Sequence, residues 1–351
     1  MKTNFNQIGR PGVVAAIAMV ISLLGFPLSD SSSPFQSMVA RVVVMLQPGV
    51  TDGEIQQALD GLPESGGDVY LPPGRISIRQ PLVLRRDFQT LRGSGTATVL
   101  ELADDANCPV IIMGEPVNSP KQTVKNLRVS DLIIDGNRSH QQRELWKLNG
   151  EGSEIRNNGI TVQGVSDSVI ANVTSARCRS GGLVTTRDVR RLTVRGLDAF
   201  DNQFDGLACY QTEDCLFTDL YLHDNPGAGI SLDLAFNHNV ISNAVLNAND
   251  LGVFMRASRN NQFCNVSIRN SHHHGVFMAH AETQTARGWG PTPMTECTKN
   301  SFTNLIAVNC GGAAFRVNNN SCTNNVIMRA TFDGNLKGGL SLAQPNLVTL
   351  Q

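Results

Sequence analysis

Apolar and polar residues alternate in short runs along most of this chain, and the runs return at a fixed spacing. Gly-Ile-Ser-Leu-Asp-Leu (229–234) and Gly-Val-Phe-Met-Arg-Ala (252–257) are two of them. Alternation with period two is the pattern of a half-buried strand, and few windows carry the i, i+3, i+4 stripe of an amphipathic helix. A small residue followed by an apolar one anchors each run: Gly159, Gly182, Gly206, Gly229, Gly252, Gly275, Ala314 and Gly339. The steps between anchors are 23, 24, 23, 23, 23, 39 and 25 residues. A period in the low twenties marks a solenoid. The regular leucines of a leucine-rich repeat are missing. The pattern therefore predicts an all-β, single-stranded right-handed parallel β-helix, occupying residues 38–351 as one domain.

Two further features refine this expectation. Five residues before successive anchors stand Asp201, Asp224, Asn247, Asn270 and Asn309. They predict a stacked ladder at one turn, its side chains about 4.8 Å apart. Thr51 to Leu62 instead predicts a short helix. Thr51 or Asp52 caps it, Ile55, Ala58, Leu59 and Leu62 share one apolar face, and Gly66-Gly67 stops it. A helix at this place would cover the first exposed coil of the solenoid.

After the helix comes Gly-Gly-Asp-Val-Tyr-Leu-Pro-Pro-Gly-Arg-Ile-Ser-Ile (66–78), then Pro81-Leu-Val-Leu and Leu91-Arg-Gly-Ser-Gly. This opening resembles that of the pectin-lyase-like superfamily, in its pectate-lyase and rhamnogalacturonase-like branch. With the later coils the resemblance spans about residues 48–345. It implies a secreted protein acting on acidic or neutral polysaccharides as a lyase, hydrolase or uronate epimerase; the superfamily also holds non-catalytic members. The active-site motifs of its best-known branches do not carry over. The Asn-Thr-Asp, Gly-His-Gly and Arg-Ile-Lys of polygalacturonase-like enzymes are missing, with His274-Gly275 only a fragment. Also missing are the Asp-Pro-His of mannuronan epimerases and the Arg-x-Pro-x-x-Arg of calcium pectate lyases. The resemblance thus transfers no residue role.

Composition narrows the class. A net charge of −1 leaves no polybasic face for nucleic acid. Residues 1–37 have the make-up of an export leader: Lys2 and Arg10, then an apolar run from Val13 to Phe26, then a Ser- and Pro-rich stretch. The run is short for a membrane span, so a signal peptide is favoured over an uncleaved anchor, with no span in the mature chain. Among eight cysteines there is no CxxC. Cys297 and Cys322 each stand 17 residues before an anchor, which stacks them on adjacent rungs for a disulfide after export. His272-His273-His274 resembles a metal tract, but consecutive residues in a turn seldom aim at one ion. We assign no metal or cofactor. Calcium bridging substrate carboxylates occurs in the superfamily, and no acidic cluster here calls for it.

Candidate chemistry follows from the alternation. With the anchor as position zero, +1 and +3 face inward and +2 and +4 outward. The +4 column places Tyr210, Asp233 and Arg256 on consecutive rungs; the +2 column runs Ala208, Ser231, Phe254, Phe277, Arg316. Two insertions break the period, Arg138–Asn158 and Ala281–Thr298, and hold the only two tryptophans, Trp146 and Trp289. The pattern predicts a groove with a Trp-bearing wall at each end, suited to a polysaccharide. A uronate lyase or epimerase needs a cation for the carboxylate, a base, and an acid. Arg256 fits the cation, Tyr210, His280 or His238 the base or acid, and Asp233 the group that orients Arg256. Trp146, Trp289, Glu282, Arg316 and Asp205 would contact substrate. A hydrolase would instead pair Asp233 with Asp205 or Glu282. A plain Asp233–Arg256 cross-strand salt bridge in a non-catalytic glycan-binding protein is the third reading.

Overall fold

The computed structural model describes residues 41–142, 155–280 and 295–351, together with the backbone of short strands at 17–18, 285–286 and 290–291. The leader 1–37 otherwise lies outside the described residues. So do Trp146, Glu282 and Trp289. The chain is an all-β right-handed solenoid of about 12 turns with one short α-helix. Two long parallel sheets run its length. One carries eight- and nine-residue strands such as Leu216–His223, Val240–Asn247 and Asn325–Asp333. The other carries Leu183–Arg190, Leu207–Tyr210, Ala228–Asp233, Leu251–Met255, Val276–Met278 and Phe315–Val317. In the second sheet Leu207 pairs with Ile230, Ile230 with Val253, and Val253 with Val276. These +1 residues are fully buried, as are Cys209, Leu232, Met255 and Met278 at +3. No helix among the described residues is long and apolar enough to cross a membrane.

Each coil turns by placing single residues in the left-handed region, and the sequence supplies Asp and Asn there. Asp219, Asn243, Asn265 and Asn304 (φ 56, 52, 55 and 55°) break the first-sheet strands into two facets at one corner. A side-chain amide is the ordinary non-glycine choice for such a conformation. These corner residues bond outside the helix, Asn265 Nδ2 to Asn243 Oδ1 at 3.1 Å and Asn304 Nδ2 to Asn265 Oδ1 at 2.9 Å.

Of the predicted ladder, Asn270 Nδ2 donates to Asn247 Oδ1 at 2.9 Å on the exposed side, while the buried amide ladder runs one residue further on. Asp201, Asp224, Asn270 and Asn309 are the left-handed corner residues, with Ala248 rather than Asn247 completing their column. Asn247 instead ends a strand, opposite His223 and Arg269. The stacked, buried amides belong to the next residues, Asn202, Asn225 and Asn249. Asn225 Oδ1 accepts from the Asn202 N–H and from Asn202 Nδ2, both at 3.1 Å. Its Nδ2 donates to Asn249 Oδ1 at 2.9 Å and to the Ala199 carbonyl at 3.1 Å. A second interior ladder, Asn239, Asn261, Asn300 and Asn325, repeats this scheme at another corner. The anchor glycines make room for the first ladder. A Cβ on Gly206 would lie 3.0 Å from Asn225 Nδ2, and one on Gly229 2.9 Å from Asn249 Nδ2.

The helix spans Asp52–Asp60. Thr51 is the N-cap in a reciprocal capping box: its hydroxyl accepts the Glu54 N–H and the Glu54 carboxylate accepts the Thr51 N–H. Its C-cap is Gly61, ahead of the Gly66-Gly67 expected as the stop. Ile55, Leu59 and Leu62 are buried beneath it.

The ladders predict a large cost for losing one amide. Asn225→Ala strands buried donors and acceptors on two neighbouring coils, each worth about 1–3 kcal/mol. Urea unfolding followed by circular dichroism should show the variant destabilised by roughly 3 kcal/mol. A midpoint equal to wild type would contradict the role given to the ladder.

Candidate active site

The outer face of the second sheet brings together part of the expected set. Tyr210 pairs with Asp233 on the next rung. Arg256 follows one rung on, where its Nη2 donates to Asp233 Oδ2. Asp233 is only 3% exposed, and its other oxygen accepts the Leu234 N–H at 2.8 Å. Burial pushes its carboxyl above the ordinary value, and Arg256 with the Leu234 N–H only partly offsets this. The Arg256 side chain remains 36% exposed, with its guanidinium 5.3 Å above the Phe254 ring. His280, exposed, follows Ala279, the +4 residue of the next rung; its Nδ1 lies 3.1 Å from Ser321 Oγ.

Other expected residues stand elsewhere. Asp205 lies at the start of its strand, beside Ala228, whose N–H it accepts at 2.8 Å. Asp233 ends the strand Ala228–Asp233, five residues on, which separates the two carboxylates by about 16 Å of strand rise. They do not form the 5–9.5 Å pair of a glycosidase. His238 occupies a left-handed corner (φ 59°) between the sheets, with Nε2 3.1 Å from Asn260 Nδ2. The histidine tract diverges: His273 Nδ1 pairs with Asp250 Oδ1 at 2.6 Å, and His274 Nδ1 accepts the Ala313 N–H at 2.9 Å. No group of His, Cys, Asp and Glu among the described residues is arranged to hold a metal ion.

The outer face is not uniformly open. Thr161, Val184, Ala208 and Ser231 point outward at +2 yet are buried, whereas Phe254, Phe277 and Arg316 are partly exposed. This face is therefore partly exposed over the coils of Gly252, Gly275 and Ala314, while the Trp-bearing walls predicted for a groove lie outside the described residues. Phe254 and Phe277 form an aromatic floor there, with ring centroids 5.7 Å apart. Sequence reasoning placed these rings outward without giving them a role.

Cys297 and Cys322 are brought together as two free thiols. The Cys297 N–H donates to Cys322 Sγ at 3.3 Å, and both sulfurs lie 3.7 Å from the Ala279 carbonyl. Burial holds the Cys297 thiol well above its usual range. Its hydrogen bond to Cys322 draws that thiol down to about 7.

Comparison with known proteins agrees with this architecture. The family model described as the right-handed β-helix region matches residues 118–251 and 158–288. The A-module of the mannuronan C-5 epimerase AlgE4 of Azotobacter vinelandii superposes with a TM-score of 0.54 at 16% identity, covering 86% of this chain and 95% of that one. A family 28 exopolygalacturonase of Yersinia enterocolitica gives 0.57 at 14% identity, with 88% and 78% covered. The N-terminal fragment of bacteriophage phi29 gene product 12 gives 0.63 at 16% identity, with 86% and 53% covered. No curated protein matches the sequence. The fold is the right-handed parallel β-helix.

Asp205 gives the site region a pH signature. Burial lifts its carboxyl to about 6, against the opposing Ala228 N–H and Arg156. A raised folded-state value means the folded chain holds the proton more tightly than the unfolded chain. The stability this supplies is full below about pH 4 and is lost as pH rises through about 6. Thermal midpoints should fall across that window, and less steeply in Asp205→Asn, which keeps an oxygen for Ala228. Equal slopes in the two proteins would contradict this assignment.

Proposed function

We propose that this chain is an exported polysaccharide-active enzyme that removes the proton beside the carboxylate of a uronate polymer, as a lyase or an epimerase. One observation carries the reading: the Arg256 guanidinium is anchored on a buried carboxylate while its side chain stays 36% exposed beside an aromatic floor. Such a guanidinium can accept a substrate carboxylate and stabilise the charge that develops when the neighbouring carbon loses its proton. With both its oxygens engaged, Asp233 orients Arg256. Tyr210, two rungs before Arg256, and His280, on the rung after it, are the candidates for base and acid. In a lyase the electron pair left by the proton expels the glycosidic oxygen, which takes a proton from the acid. In an epimerase the carbon is reprotonated from the other face. Two fold neighbours are named for acidic polysaccharides, mannuronan and polygalacturonan, and support the substrate class on fold likeness alone. The wide Asp205–Asp233 separation speaks against that pair as a hydrolase dyad; the other pair, Asp233 with Glu282, lies outside the described residues.

Screening the purified protein on uronate and neutral polysaccharides tests the proposal. Ultraviolet absorbance from an unsaturated uronate product is expected for a lyase, and changed sugar configuration in the recovered polymer for an epimerase. Either should fall at least about 100-fold in Arg256→Ala, as for removal of a charge-stabilising donor. New reducing ends without absorbance would move the assignment to hydrolysis. Binding without any product would make the protein a glycan-binding β-helix, a role that the internal Asp233–Arg256 pairing also accommodates.

Export and the thiol pair belong to the same proposal. In an oxidising compartment, Cys322 as thiolate attacks a small-molecule disulfide, and Cys297 then displaces the bound half, leaving a Cys297–Cys322 bond and two reduced thiols of the oxidant. Both sulfurs are buried, so the exchange belongs to folding: peptide mapping after refolding with glutathione disulfide should recover a linked Cys297–Cys322 peptide. Failure to recover that peptide would count against the bond.

A further inference from the structure

The aromatic floor carries a second cation, and the two cations differ. Arg256 is tied to Asp233. Arg316 lies two coils further along at the +2 position, its guanidinium 5.7 Å from the Phe277 centroid. Among the described residues it forms no ion pair. The floor therefore repeats one unit, a phenylalanine face with a guanidinium over it: Phe254 with Arg256, then Phe277 with Arg316. His274 stands 5.5 Å from Phe277 at the same rung. Its Nδ1 accepts the Ala313 N–H, which leaves the proton on Nε2 in the neutral ring. Burial, with Arg316 and Lys337 nearby, disfavours the charged ring.

We infer that Phe277, Arg316 and His274 form a second carboxylate-recognising subsite, holding a neighbouring uronate of the same polymer whose reacting residue lies at Arg256. An apolar ring face matches the C–H face of a pyranose, and a guanidinium over that face matches an equatorial or projecting carboxylate. A neutral sugar satisfies only the first. An isolated guanidinium gains more from an incoming anion than one already neutralised by an aspartate. Arg316 therefore contributes affinity and charge selectivity, while Arg256 contributes to the chemistry. This assignment rests on the polyuronate reading above, but its readout is binding rather than turnover.

The test is titration calorimetry with oligogalacturonate and oligomannuronate, and with a neutral gluco-oligosaccharide of equal length. Arg316→Ala should weaken uronate binding by about tenfold and leave neutral-sugar binding unchanged. Arg316→Lys should recover only part of the loss, because an ammonium does not stack on Phe277 or bond in a fork. Phe277→Leu, which keeps a buriable side chain, should weaken both ligand classes. If wild type binds uronates through Arg316 but turns nothing over, the subsite stands and the catalytic proposal falls. If wild type is active and Arg316→Ala keeps both KM and kcat, the subsite falls and the chemistry stands. Equal losses on neutral and acidic sugars in Arg316→Ala, or no uronate binding by wild type, also overturn the subsite.

Discussion

Everything in this protein depends on exact-register stacking of coils, and the buried asparagine ladders are the interaction that fixes the register. Backbone hydrogen bonds between parallel strands tolerate a slip of two residues without changing which side chains face inward. The ladders do not. Asn225 binds the backbone and side chain of Asn202 on one coil and the side chain of Asn249 on the next, in a buried interior where an unmet amide is costly. Shifting a coil would break these contacts on both sides. The tight space left by Gly206 and Gly229 enforces the same register from the opposite wall.

Once register is fixed, residues about 23 positions apart become neighbours, and the surface is built from columns. Asp233 meets Arg256, Phe254 meets Phe277, and Cys297 meets Cys322 for this one reason. A rigid strand is a good support for such groups, since adjacent rungs differ in spacing by little. The site is also uneven along its axis. Asp233 is buried and fully occupied, Arg256 is half committed, and Arg316 makes no ion pair among the described residues. That gradient separates a group that positions from a group that binds.

Much of this was legible in the sequence because a solenoid converts spacing into proximity. Periodicity sufficed to set Asp233 beside Arg256 and to send Leu232 and Met255 inward. The buried asparagine ladder stands one residue beyond the expected column for a physical reason. Left-handed corners and interior amides both favour Asp or Asn and stand side by side, as in Asp224-Asn225, so residue type does not separate them. The helix stop was misplaced because Gly61 caps within one turn of the last buried leucines, ahead of the more conspicuous glycine pair. The Phe254–Phe277 floor was visible only as a less polar column. Alternation gives a side chain's direction but not whether it is covered: Val184, outward by the pattern, is buried.

The central claim is proton abstraction beside a uronate carboxylate, with Arg256 stabilising the charge. The most direct measurement is proton NMR of a polyuronate incubated with the protein in deuterated water, following the signal of the hydrogen on the carbon that bears the carboxylate. Both a lyase and an epimerase remove that hydrogen, so the signal should decay with wild type and persist with Arg256→Ala. A signal that stays intact while the polymer is bound or its chains are cut would contradict the account.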